Sequence, residues 1–166
     1  MVGQALALRH PDRFRAFIIC STTARMAPDA GAFFAKRAET VRRDGIESQV
    51  QMTLERWLSP EFRARDPEAT HWVADMIRGT STVGMIHCFD AIKVLDYLDQ
   101  LDRITAPTLL IAGEKDPGAP VAAMEEMRDR IKGARLEVIA SCLHQTPIEA
   151  PDAFNRIVDR FLAGLR

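Results

Sequence analysis

Three short apolar runs constrain the fold of this chain more than any other feature. The runs are AFIIC at residues 16–20, PTLLIAG at 107–113 and RLEVIA at 135–140, and turn-forming residues bound each of them. Short, partly β-branched runs of this kind are typical of strands that are buried on both faces of a sheet. Such strands predict a parallel sheet joined by right-handed crossover helices.

Helical periodicity follows the second and the third of these runs. Residues 119–132 carry side chains at three- and four-residue steps before Gly133, namely Val121, Met124, Met127, Arg128 and Ile131. After Pro151 a second stripe is apolar throughout, namely Phe154, Ile157, Val158, Phe161, Leu162 and Leu165. Both patterns predict amphipathic helices, and Pro151 marks the start of the second helix.

The pattern between about residues 26 and 100 is helical without strands. Ser59 and Asp66 precede Pro60 and Pro67, an order that marks helix starts with capping side chains. We therefore expect a partial α/β core made of residues 1–25 and 101–166, with a helical cap inserted at residues 26–100. The Met and aromatic residues of this cap are interpreted as packing, because that is their commonest role.

Composition excludes several classes of function. The 166 residues carry a formal net charge of -1, which gives no electrostatic footprint for nucleic acid or for an anionic membrane. The cysteines, Cys20, Cys88 and Cys142, are odd in number and show no metal-binding spacing, so we expect neither a disulfide framework nor a structural zinc site, and we expect a reduced cytoplasm as the location. We expect no cofactor and no other metal site. No apolar run approaches the roughly 20 residues that span a bilayer.

One acid and one base follow two of the predicted strands. Asp116 lies in GEKDPGAP, after the run that ends near Ala112, and His144 follows the next run, with Glu149 five positions further on. Ligands and catalytic groups collect at the carboxyl ends of parallel strands, so Asp116 and His144 are candidates for an orienting carboxylate and a general base. Taken alone, Asp116 is equally a turn former, and His144 is equally a core histidine.

Other reactive side chains have simpler interpretations. Cys142 precedes His144 by two positions, but a small buried residue at a strand end is the simpler interpretation. Ser21 lies in a Ser/Thr-rich turn, where local backbone hydrogen bonding explains it. The remaining histidines are placed at a helix end, as His10, or on cap helices without ligand spacing, as His71 and His87.

Four stretches give the chain a resemblance to the α/β-hydrolases, and within them to the C-terminal portion of the 3-oxoadipate enol-lactonases. The stretches are MVGQALALRHPDRFRAFIIC, WLSPEFRARDPEA, ITAPTLLIAGEKDPGAP and HQTPIEAPDAFN, and GMIHCFDAI points to the enol-lactonase group. The resemblance covers essentially the whole chain. It implies an ester or lactone hydrolase in which Asp116 is the triad acid and His144 is the triad base.

The family's nucleophile motif does not occur in this sequence. In α/β-hydrolases the serine lies on a G-x-S-x-G elbow, and the helix that leaves the elbow resembles the start of this chain. We expect the serine about four residues before Met1, and hence a chain that is inactive alone. Three alternatives stay open: the C-terminal portion of a hydrolase, one half of a two-chain hydrolase, or a noncatalytic binding module.

The run at residues 16–20 also predicts self-association. In the family order a strand that precedes the nucleophile pairs with this run, so its absence leaves an unpaired edge. Unpaired edges invite pairing with another chain. We therefore expect a homodimer or larger assembly through residues 1–20, with two-fold symmetry as the simplest closed form.

Overall fold

Strands and helices alternate at both ends of the chain, and helices alone fill its middle. The computed structural model of the chain describes residues 1–165. The strands are β1 (Phe17–Cys20), β2 (Thr108–Gly113) and β3 (Arg135–Ile139). The helices are α1 (Val2–Arg9), α2 (Ala30–Asp44), α3 (Val50–Trp57), α4 (Pro60–Arg65), α5 (Pro67–Arg78), α6 (Thr82–Ile92), α7 (Val121–Arg130), α8 (Thr146–Glu149) and α9 (Pro151–Ala163).

The described chain divides into two compact units. One unit contains residues 1–24 together with the residues from Asp96 onward, and the other contains Arg25–Leu95. The first unit holds all three strands, with α1, α7, α8 and α9, and the second holds α2 to α6. That residues 26–100 form a helical cap on the α/β core stays a prediction.

The sheet is parallel, as the apolar runs predict, and its order is β1-β2-β3. Phe17 of β1 pairs with Thr108 of β2, and Leu109 of β2 pairs with Arg135 of β3. Every residue of the central strand β2 is buried. The edge strands differ from the prediction of burial on both faces, because Ile18 of β1 is 36% exposed and Val138 of β3 is 44% exposed.

Side chains alternate across β2 and pack against a different layer on each face. Leu110 and Ala112 lie in one cluster with buried residues of α1 and α7, including Met124 and Met127. Leu109 and Ile111 lie in a second cluster with Ile139 and with Phe161 of α9. The fold of this unit is therefore an α/β sandwich of three layers, which confirms the predicted fold class.

The predicted helices on either side of the sheet are present with small differences. The stripe after Pro151 forms α9, but only its Phe161 is fully buried and Leu162 is 48% exposed. Leu162 therefore departs from the predicted apolar face.

The helical unit is organised by capped starts and a small apolar cluster. Ser59 accepts a hydrogen bond from the Phe62 N–H, and Asp66 accepts one from the Ala69 N–H, so both predicted caps are confirmed. A cluster of buried side chains joins α2 to α6, namely Ala38, Val41 and Phe89. Among the described residues no helix is long and apolar enough to cross a bilayer.

Candidate active site

The loops that follow β2 and β3 carry the two predicted site residues. Asp116 lies three residues after the end of β2, in a tight turn. The backbone N–H of Asp116 donates to the carbonyl oxygen of Gly113 over 3.2 Å. His144 lies five residues after the end of β3. Because β2 and β3 are parallel neighbours, both loops leave the sheet at the same edge.

These loops bring the carboxylate and the imidazole into direct contact. Nδ1 of His144 lies 2.7 Å from Oδ2 of Asp116. The Asp116 side chain is fully buried, whereas the His144 side chain is 29% exposed. A buried carboxylate beside a partly exposed imidazole is the arrangement that orients a general base.

The second oxygen of Asp116 is held by the backbone. Oδ1 accepts hydrogen bonds from the N–H groups of Gly118, over 2.7 Å, and of Ala119, over 3.1 Å. Burial raises the pKa of the Asp116 carboxyl, but the hydrogen bond and charge of His144 and the two backbone donors together bring it below its ordinary value. The carboxyl is therefore ionised at neutral pH.

An ionised Asp116 selects one tautomer of the histidine. Since the ionised Oδ2 can only accept a hydrogen bond, Nδ1 of His144 carries the proton and donates a hydrogen bond to Oδ2 of Asp116. In the neutral imidazole the lone pair then lies on Nε2, the nitrogen that takes up a proton in general-base catalysis. The pair can therefore accept a proton at Nε2 and stabilise the resulting imidazolium.

The histidine loop packs directly on the end of β2. A Cβ added at Gly113 would overlap the carbonyl oxygen of Leu143 and lie 2.7 Å from that of Cys142, so only glycine fits there. The backbone N–H of Lys115 donates to the same Cys142 oxygen over 2.9 Å. The acid loop and the histidine loop are thus joined through their backbones.

Two glutamates hold the histidine loop, and sequence reasoning gave neither of them a role. Oε2 of Glu114 accepts a hydrogen bond from the N–H of Ser141 over 2.8 Å, at a residue whose φ of 61° lies in the left-handed region. Oε1 of Glu149 accepts one from the N–H of Leu143 over 2.6 Å, and Glu149 is buried. The spacing of Glu149 from His144 was visible in the sequence, but its partner was not.

The other candidates lie away from this acid-base pair or in the core. Cys142 packs in the apolar cluster with Leu109, Ile111, Ile139 and Phe161, which favours its interpretation as a packing residue. His10 ends α1 at the surface, and His71 and His87 are exposed on α5 and α6. Within residues 1–165 no group of three or more metal-ligating side chains comes together.

Ser21 departs from its sequence-based interpretation. Its Oγ is buried and makes no hydrogen bond to the described residues, so the expected local bond to the backbone is absent. Its neighbour Thr22 makes such a bond instead, from Oγ1 to the carbonyl oxygen of Thr23 over 3.3 Å. Ser21 follows directly after β1 and has a φ of 43°, in the left-handed region.

Comparison with known proteins gives consistent matches. Residues 1–151 match the alpha/beta hydrolase fold family. The chain is 34% identical over 159 residues to 3-oxoadipate enol-lactonase 2 of Acinetobacter baylyi, covering 96% of this chain and 58% of that protein. It is 27% identical over 173 residues to a pimeloyl-[acyl-carrier protein] methyl ester esterase of Neisseria meningitidis, covering 99% of this chain and 54% of the esterase.

The structural matches agree with the sequence matches. The crystal structure of the enol-lactonase from Burkholderia xenovorans LB400 superposes with a TM-score of 0.91 at 30% identity, covering 97% of this chain and 61% of that one. A thermophilic esterase from Thermogutta terrifontis superposes with a TM-score of 0.84 at 26% identity, covering 99% and 61%. The chain therefore spans roughly three fifths of the length of these relatives.

Proposed function

Because this chain belongs to the α/β-hydrolase family, we propose that it supplies the acid and the base of a Ser-His-Asp triad that hydrolyses carboxylic esters or lactones. The observation that carries the proposal is the contact of 2.7 Å between Nδ1 of His144 and Oδ2 of Asp116. A buried carboxylate on one ring nitrogen leaves the other nitrogen to activate a hydroxyl nucleophile.

In this function His144 works in both directions. Its Nε2 takes the proton of the serine hydroxyl as the oxygen attacks the carbonyl carbon, and Asp116 stabilises the imidazolium that forms. The same imidazolium then returns the proton to the leaving oxygen of the ester or lactone. Asp116 stays ionised throughout, which agrees with the lowered pKa of its carboxyl.

We propose that the nucleophile is supplied by residues other than these 166. No G-x-S-x-G occurs in the sequence, and in this family that elbow carries the serine and one of the oxyanion donors. We propose that a preceding part of the same polypeptide, or a separate chain, brings the elbow. The 166 residues alone are then inactive, since losing a triad serine typically costs on the order of a millionfold in turnover.

The substrate we propose is a lactone of the 3-oxoadipate enol-lactone type. The support is the name of the Acinetobacter baylyi relative at 34% identity and of the Burkholderia xenovorans structure at 30% identity. Simple esters form the alternative, since the Neisseria meningitidis relative at 27% identity is an ester hydrolase. Both reactions use the same acid-base pair.

Two assays test this function. First, the isolated chain is assayed with an enol-lactone and with aryl esters, where we expect no turnover. Second, the chain is fused to the part of the Acinetobacter baylyi enol-lactonase that lies outside the matched region, where we expect lactone hydrolysis. In the fusion, Asp116→Asn should lower turnover by about 10⁴-fold, and His144→Ala by on the order of 10⁶-fold.

The controls separate the assignments from one another. His71→Ala, at an exposed position of α5, should leave the fusion fully active. Equal turnover for the parent, His144→Ala and Asp116→Asn would refute the acid-base assignment. Turnover by the isolated chain that His144→Ala abolishes would refute the external nucleophile, and its loss in Cys142→Ser would identify Cys142 as the nucleophile instead.

A further inference from the structure

Arg37 of the helical unit is half-buried, and its hydrogen-bond partners among residues 1–165 are neutral groups. Nε of Arg37 donates to Oε1 of Gln49 over 2.9 Å, and Nη2 donates to Oγ1 of Thr53 over 3.0 Å. Gln49 and Thr53 are both buried. A guanidinium has five N–H donors, so these two bonds leave donors for a further acceptor.

A second arginine, Arg56, lies near the same Phe33 ring as Arg37. The guanidinium carbon of Arg56, on α3, is 5.1 Å from the centroid of Phe33, and that of Arg37 is 5.7 Å from it. Arg37 also lies 4.6 Å from the centroid of Phe89. Among residues 1–165 neither guanidinium takes part in an ion pair, although surface arginines of this chain such as Arg43 do so.

Two positive charges held close together without an anion are unfavourable. Burial, and then the charge of Arg56, lower the pKa of Arg37 to about 10, so the group stays protonated at neutral pH at a cost in free energy. A bound anion would offset both effects. Fixing α2 to α3 through Gln49 and Thr53 explains Arg37 alone, but that structural role does not explain why Arg56 lies beside it.

We propose that Arg37 and Arg56 form a binding site for a small organic carboxylate within residues 25–95. A carboxylate only accepts hydrogen bonds, and it matches the planar fork of a guanidinium with two parallel bonds. The ring of Phe33 is 36% exposed and offers an apolar surface for the carbon chain of the ligand. The site uses residues of the helical unit alone and does not depend on the proposed hydrolase function.

Calorimetric titration of the whole chain with adipate tests this site. Adipate carries two carboxylates, and dimethyl adipate is the neutral probe of the same carbon skeleton. At constant ionic strength we expect saturable binding of adipate and none of dimethyl adipate. Arg37→Gln and Arg56→Gln should each weaken adipate binding by about tenfold or more, the loss expected for a charge-assisted pair.

The control is Arg43→Gln, which removes the same charge from the same helix and should change the affinity less than about twofold. Among residues 1–165 the Arg56 side chain makes no hydrogen bond, and Arg56→Gln removes only its contact with the Phe33 ring, so the variant should melt within a few degrees of the parent and its effect on affinity reports binding. Equal affinity of Arg56→Gln and the parent would overturn the site. Equal binding of adipate and dimethyl adipate, or no adipate binding by the folded parent, would do the same.

Discussion

Gly113 is the residue at which a single methyl group tests how the acid and histidine loops fit together. In Gly113→Ala the added Cβ overlaps the carbonyl oxygen of Leu143 and lies 2.7 Å from that of Cys142, where ordinary contact begins at 3.4 Å. Both oxygens are backbone atoms, so the loop that leads to His144 must move by several tenths of an ångström or more. Overpacking of this kind costs about 1–3 kcal/mol.

A thermal melt followed by circular dichroism measures this cost. For a chain of this size, 1–3 kcal/mol corresponds to a melting temperature lower by roughly 2–12 °C. In the fusion with the nucleophile, displacement of the base by up to 1 Å should lower turnover by about 10²-fold. The matched control is Gly3→Ala, whose Cβ lies 3.9 Å from Cγ1 of Ile19, and helix propensity should leave its stability equal or slightly higher.

A Gly113→Ala variant that melts at or above the melting temperature of the parent would contradict the predicted overlap. Destabilisation of Gly3→Ala by the same amount would also contradict it, because the loss would then reflect any added methyl group. If Gly113→Ala melts like the parent but turns over more slowly in the fusion, the fit of the loop affects catalysis and not stability. That result would refute the predicted loss of about 1–3 kcal/mol but would agree with the predicted displacement of the loop.

Three further predictions concern the same unit. The carboxyl of Asp116 has a lowered pKa in the fold, so its stabilisation is present above about pH 4 and is lost as pH falls through the folded pKa. By urea titration, Asp116→Asn should therefore unfold more easily than the parent at pH 7, and this difference should shrink as pH is lowered below about 4. Glu149→Ala leaves the Leu143 N–H unsatisfied and should lower the free energy of unfolding by about 1–3 kcal/mol, whereas Glu149→Gln should lower it by about 1 kcal/mol. Equal losses for the two variants would contradict the role of the charge. We propose a homodimer through residues 1–20, so Ile18→Lys on β1 should shift sedimentation to the monomer while Val138→Lys on β3 does not.

The sequence predicted the sheet and the acid-base pair for the same reason. Buried parallel strands appear as continuous apolar runs, and the polar residues that follow neighbouring runs must meet at one edge. Asp116 and His144 could therefore be placed together without coordinates. A catalytic role for the pair is implied only by the resemblance to the family, since a turn aspartate and a core histidine give the same local pattern.

The supports of the site could not be predicted because they depend on strand register. Gly113 meets the Leu143 carbonyl only when Gly113 is paired with Ile139, and a change of register by one residue would separate them. The half-buried position of Arg37 could not be predicted, because a helical pattern assigns charged residues to the solvent side. Its burial is set by Gln49 and Thr53, which come from a different segment of the helical unit.

Several contacts that orient His144 lie between residues 113 and 149 of this chain. Asp116 holds the imidazole, Glu114 and Glu149 hold the backbone before it, and Gly113 allows that backbone to approach β2. These contacts come from one compact unit of the chain, so we expect His144 to be oriented without help from a nucleophile. We propose that an elbow completes the hydrolase by placing a hydroxyl within hydrogen-bond reach of Nε2, about 2.6–3.2 Å, and by adding an oxyanion donor. This is why a nucleophile supplied by a separate chain is as compatible with the geometry as one supplied by the same polypeptide.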